Sequence, residues 1–164
     1  MKPKPGVYIE NSVVSYLTAR PTKSLVAAAR QQITYDWWHS RRQEFDLYIS
    51  ELVAAEAADG DPEAAQKRLG HLEGIPEVAI TEEVRGLAEA LLKEGALPPG
   101  AVADAFHVAS AAVHGIEYLL MWNCAHLANA EIKPLVRSVC AVHGYPCPEI
   151  CTPEELMGED PHER

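Results

Sequence analysis

The sequence predicts an α/β domain in which helices cover both faces of a small, mostly parallel sheet. Three observations carry that reading. Short apolar runs recur along the chain, and each is followed by a longer segment whose apolar residues fall at helical spacing. Strands separated by helices need crossover connections, which set neighbouring strands parallel. The 164 residues, 48% of them apolar, suit one domain with its own core, and they contain no repeat, low-complexity block or linker. The domain is expected over residues 1–158, with a mobile tail at 159–164.

The elements follow in order. Val7 to Ile9 forms a brief strand, and Asn11 or Ser12 caps the helix that Val13 to Leu17 begins. After Pro21, Thr22 or Ser24 starts a long helix through Trp37 and Trp38 toward Arg42. One of these tryptophans is expected in the core and the other on a partner or dimer surface. Phe45 to Ile49 is the second strand, and Ser50 caps the helix through Glu56 that ends at Gly60. Asp61-Pro62 opens the next helix, with proline in the first turn, to about Leu72. Val78 to Ile80 is a third strand, and Thr81 starts a helix that stops at Gly95. A helix from about Gly100 to His114 leads to a fourth strand, Tyr118 to Trp122. A helix from about Ala125 to His143 and a last strand near Glu149 to Cys151 complete the pattern, before a helix-start signature at Thr152-Pro153-Glu154-Glu155.

Twenty-four acidic residues against fourteen Lys and Arg give a formal net charge of −10. That balance argues against binding nucleic acid or an anionic membrane by bulk charge, and leaves room for a local basic rim. The segment before Glu10 fits no signal peptide, and no apolar stretch is long enough to span a bilayer. The cytoplasm is the expected location. Cys124, Cys140, Cys147 and Cys151 are expected as reduced, structural thiols. With His126 and His143 they also suggest zinc, but paired CxxC knuckles are absent.

Parallel sheets bind ligands beyond the carboxyl ends of their strands. Glu10 follows the first strand, Glu51 and Glu56 lie in the helix after the second, and Asn123 follows the fourth. Asp104 lies near the start of the helix leading into that fourth strand. Two carboxylates about 4 Å apart repel by roughly 4 kcal/mol at an effective dielectric near 20. Convergence therefore requires a shared proton or a cation. Oxygen donors suit Mg²⁺ or Mn²⁺, and such an ion suits phosphodiester hydrolysis by activating water and neutralising phosphate. Each acid taken singly is better explained as a solvated surface residue, and Glu51 by the helix dipole.

These residues resemble the PIN domains, especially the VapC-like ribonucleases of bacterial and archaeal toxin–antitoxin pairs. The first match is Val7-Tyr8-Ile9-Glu10-Asn11-Ser12-Val13-Val14, and the second Ile49-Ser50-Glu51-Leu52-Val53-Ala54-Ala55-Glu56 followed by Gly60. The third is Ala103-Asp104-Ala105-Phe106-His107-Val108-Ala109-Ser110-Ala111, with Gly115 and the run Tyr118 to Asn123. The likeness covers roughly Val7 to Thr152. It implies a three-layer α/β/α fold and an Mg²⁺- or Mn²⁺-dependent endoribonuclease acting on RNA, with Glu10, Glu56, Asp104 and Asn123 as catalytic and metal-binding positions. It also implies a homodimer and an antitoxin protein as partner. Glu10 stands where the family usually has Asp, and Asn123 where an acid is common. The second change removes a charge and keeps a carbonyl oxygen. Three carboxylates suit one ion, and a second would be held less firmly.

Around this set, Asn11 and Ser12 can orient Glu10, and His107, one turn from Asp104, can donate to the site. As plain helix caps or a packed histidine they need no function. Asn129 is a weaker candidate near the mouth. Arg20 and Lys23 are candidate phosphate contacts, and Arg41 and Arg42 also suit a helix end. The alternative function is a weakened or inactive PIN-like binding or scaffold module, motivated by Asn123 and the negative charge. A nucleotide-binding domain is disfavoured, because neither G-x-G-x-x-G nor a P-loop follows the first strand.

Overall fold

The computed structural model describes residues 2–123 and 125–159. Cys124 and most of the expected tail, 160–164, lie outside the described residues. Five strands, β1 (Gly6–Ile9), β2 (Asp46–Ser50), β3 (Glu77–Val78), β4 (Tyr118–Leu120) and β5 (Glu149–Cys151), form one sheet in the order β3-β2-β1-β4-β5. Every neighbouring pair is parallel, so the sheet is wholly rather than mostly so.

Among the described residues seven α-helices connect them: α1 (Asn11–Thr18), α2 (Leu25–Ser40), α3 (Glu51–Ala57), α4 (Pro62–Leu72), α5 (Glu82–Lys93), α6 (Val102–Val113) and α7 (Lys133–Val142). The path runs outward from β1 through β2 to β3, then crosses back to β4 and β5 on the other side of β1. Right-handed crossovers in opposite directions place their helices on opposite faces. Accordingly α1 packs with α2, α3 and α4, while α5 packs with α6 and α7. The architecture is α/β/α, and the direction of winding switches between β1 and β4. Val7, Tyr8, Ile9, Leu119 and Leu120 are fully buried in the central strands. Alanines 105, 109, 111 and 112 of α6, all buried, let that helix lie close to its neighbours.

The expected caps Ser24, Ser50, Asp61 and Thr81 each accept a backbone N–H at the start of α2, α3, α4 and α5. Five expectations are corrected. Glu10, not Asn11 or Ser12, caps α1, because its carboxylate accepts the Ser12 amide at 2.9 Å. The third strand is only Glu77–Val78. The fourth ends at Leu120, since the Trp122 amide turns to the Ser12 hydroxyl at 2.8 Å. The seventh helix starts at Lys133 rather than Ala125. A helix from Ala125 would carry Pro134 in its interior, where it lacks the required N–H. Instead Asn123 and Asn129 collect the intervening amides in turns, and Pro134 sits in the first turn of α7. Trp37 and Trp38 are both buried, so neither marks an open partner surface.

Thr152 and Glu155 do exchange reciprocal hydrogen bonds, closing a single turn. The Leu156 carbonyl there accepts the Trp37 indole at 3.2 Å and thereby ties the end of the chain to α2.

Candidate metal centre at the carboxyl edge of the sheet

The winding switch between β1 and β4 opens the carboxyl edge of the sheet, the place where doubly wound sheets receive ligands. Glu10 leaves β1 at this edge with its amide on the Leu120 carbonyl of β4 at 3.1 Å. Its carboxylate accepts both the amide and the hydroxyl of Ser12. Glu56 enters from α3, which Ser50 caps at the end of β2. His107 enters from α6 and is fully buried. One ligating atom each from Glu10, Glu56 and His107 lies within 4.8 Å of the others. His107 Nε2 is 2.6 Å from Glu56 Oε1, while its Nδ1 is 2.8 Å from the Tyr8 hydroxyl. That hydroxyl is 2.7 Å from Ser50 Oγ, so a chain of hydrogen bonds runs from the β2 end to Glu56.

Asp104 does not join that group. One turn before His107 on α6, it accepts the Asn123 side-chain amide at 3.0 Å and lies 3.0 Å from His126 Nδ1. Asn123 Oδ1 in turn accepts the His126 backbone N–H at 3.2 Å. The four expected positions therefore divide into Glu10 with Glu56, and Asp104 with Asn123. Ser12 links them, because its hydroxyl donates to Glu10 and accepts from the Trp122 amide next to Asn123.

The electrostatics follow from burial. Glu10 is only 8% exposed, and desolvation pushes its carboxyl above the ordinary value. His107 and the Ser12 bonds pull it back, and Glu56 adds to the rise. Burial likewise pushes the Tyr8 phenol upward. No Lys or Arg among the described residues pairs with Glu10, Glu56 or Asp104. The donor set fits a divalent cation: two carboxylates and an imidazole converge with no Lys or Arg among the described residues beside them. In addition, Asn11 Oδ1, directly after Glu10, is buried with no hydrogen-bond partner among the described residues.

The other candidates fall elsewhere. Arg20 is exposed and lines a groove between α1 and α4 with Lys67, Arg68, Asp61 and Glu63, so the expected basic rim is mixed in sign. Lys23 is exposed and is not part of that groove. Asn129 is engaged in its own turn, bonding Ala125 and Glu131. Arg41 pairs with Glu44, and Arg42 lies 4.4 Å over the Trp38 ring. Cys140, Cys147 and Cys151 are free thiols and join no metal-binding group among the described residues; His143 pairs with Glu94. From the sequence His126 is a candidate only for zinc. Its signal was the short distance in sequence to Asn123, one turn along a loop that returns to the same edge. No protein-family model and no curated protein matches the chain. The likeness to the PIN domains therefore rests on the sequence motifs and on the α/β/α architecture.

Proposed function

We propose that the protein is a divalent-metal-dependent ribonuclease of the PIN type, hydrolysing RNA phosphodiester bonds. The observation that supports it most is the meeting of Glu10, Glu56 and His107 at the winding switch, where no Lys or Arg among the described residues pairs with the buried Glu10 carboxylate. Bare, this arrangement is costly; a dication makes it favourable. Glu10 and Glu56 would hold the ion, with Asp104 and Asn123 beside it facing the substrate. Such an ion, when bound, neutralises charge building on a phosphate and promotes attack by water. The chain's own part is orientation. Ser12 fixes the Glu10 carboxylate, His107 fixes Glu56, and Asn123 holds Asp104 without adding a like charge.

No helix among the described residues is long and apolar enough to cross a membrane. A homodimer, an antitoxin partner and a cytoplasmic location belong to the same proposal. The test is cleavage of a mixed RNA pool with Mg²⁺ or Mn²⁺ against a chelated control. Cleavage should require the ion and fall on the order of 10²–10³-fold in Glu10→Gln and in Asp104→Asn, the range for losing one electrostatic group. Retained cleavage in either variant would place the chemistry elsewhere. A second reading, a non-catalytic PIN-like binding module, is favoured by one observation: Asp104 is already satisfied by Asn123 and His126. Tight metal binding without any cleavage would support that module over the nuclease.

A further inference from the structure

We propose that His107 Nε2 is itself a ligand of the ion, which makes the centre prefer a nitrogen-accepting transition dication to Mg²⁺. The inference rests on the metal-centre reading above and goes beyond it in naming the donor and the class of ion. Two features carry it. First, the imidazole is fully buried with Nε2 directed at the carboxylates, inside the 4.8 Å group that Glu10 and Glu56 complete. Second, its other nitrogen already has the partner that a metal-bound histidine requires. A ligating imidazole donates its remaining N–H to a neighbouring acceptor, which fixes the tautomer. The Tyr8 hydroxyl, 2.8 Å from Nδ1, can accept that N–H and pass its own hydrogen to Ser50 Oγ, 2.7 Å further on.

A ligating Nε2 presents its lone pair to the ion, so the ring N–H is then on Nδ1, facing the Tyr8 hydroxyl. Imidazole nitrogen suits first-row transition ions, whereas Mg²⁺ favours oxygen. Tyr8 and Ser50 are then positioning residues, acting through His107.

The test uses Mn²⁺ as the probe on the whole protein. Pulsed electron paramagnetic resonance of the Mn²⁺-loaded wild type should show nitrogen coupling from a directly bound imidazole. In calorimetry Mn²⁺ should bind more tightly than Mg²⁺, and His107→Gln should weaken Mn²⁺ by about 100-fold, at the top of the range for residues supporting a metal site. Tyr8→Phe should keep the nitrogen coupling and weaken Mn²⁺ by about 10-fold. Bound Mn²⁺ without nitrogen coupling in the wild type, or equal affinity for Mn²⁺ and Mg²⁺, overturns the inference and leaves the carboxylate centre standing. Nitrogen-coupled Mn²⁺ with no RNA cleavage upholds the inference and removes the nuclease instead. Absence of Mn²⁺ binding overturns both.

Discussion

Two acidic clusters each draw one member from helix α6, Asp104 and, one turn later, His107, and they answer the same electrostatic problem differently. Asp104 has a neighbour on each oxygen within the protein, an amide on one and an imidazole on the other, and that histidine remains partly open to solvent. Glu10 and Glu56 instead meet each other around one buried imidazole. Their partners are one hydroxyl, a backbone amide and a histidine whose second nitrogen is already taken. The comparison teaches that closeness of carboxylates is less informative than what compensates them. A carboxylate with a neighbour on each oxygen is held in place, whereas a buried one grouped with a second acid favours a cation between them.

Metal affinity should break this comparison most sharply. Glu10→Gln or Glu56→Gln should lower Mn²⁺ affinity by about 100-fold, and Asp104→Asn by about 10-fold or less, as for a residue beside the ligands. Titration calorimetry on the three variants checks it, and equal losses would merge the two groups into one site.

Stability without metal should separate them next, and with opposite sign. Because the folded-state pKa of Glu10 is raised, the folded chain holds that proton more tightly than the unfolded chain does. The metal-free protein therefore loses stability as pH rises through that raised value. Glu10→Gln should melt a few degrees higher than wild type at neutral pH, and the gain should vanish as the medium is acidified below the ordinary glutamate range. Asp104→Ala, which strands Asn123 and His126, should melt lower. Thermal scans across pH in chelator read both.

A smaller change is expected at the link between the groups. Ser12→Ala leaves the buried Trp122 amide without its acceptor and Glu10 without its hydroxyl donor, at a cost of about 1–3 kcal/mol in denaturant unfolding. The smallest belongs to the rim. Arg20→Ala and Lys23→Ala should each reduce the salt dependence of RNA binding by about one counterion at most.

Much of this was legible in the sequence, for identifiable reasons. Caps such as Ser50 and Asp61 act on amides two or three residues away, so local spacing reveals them. Glu10 and Glu56 were legible because both follow strands of a parallel sheet, and such strands end at one edge. What was hidden depended on contacts across long separations. That His107 belongs with Glu10 and Glu56, while Asp104 turns to Asn123, is decided by one turn of α6 relative to two loops. The start of α7 was misread although Pro134 signalled it, because the alanines and leucine before it suggest a continuing helix. The Tyr8 hydroxyl was invisible for another reason: within an apolar strand, a tyrosine reads as core.

Ser12 carries one further consequence. Its single hydroxyl clasps the outgoing ends of two adjacent strands, giving to Glu10 and receiving from Trp122. Whatever tugs the first carboxylate toward a guest must also draw on the peptide that carries Asn123. A shift of one acidic cluster would thus be felt at the other, and the link between them is a side chain of two heavy atoms.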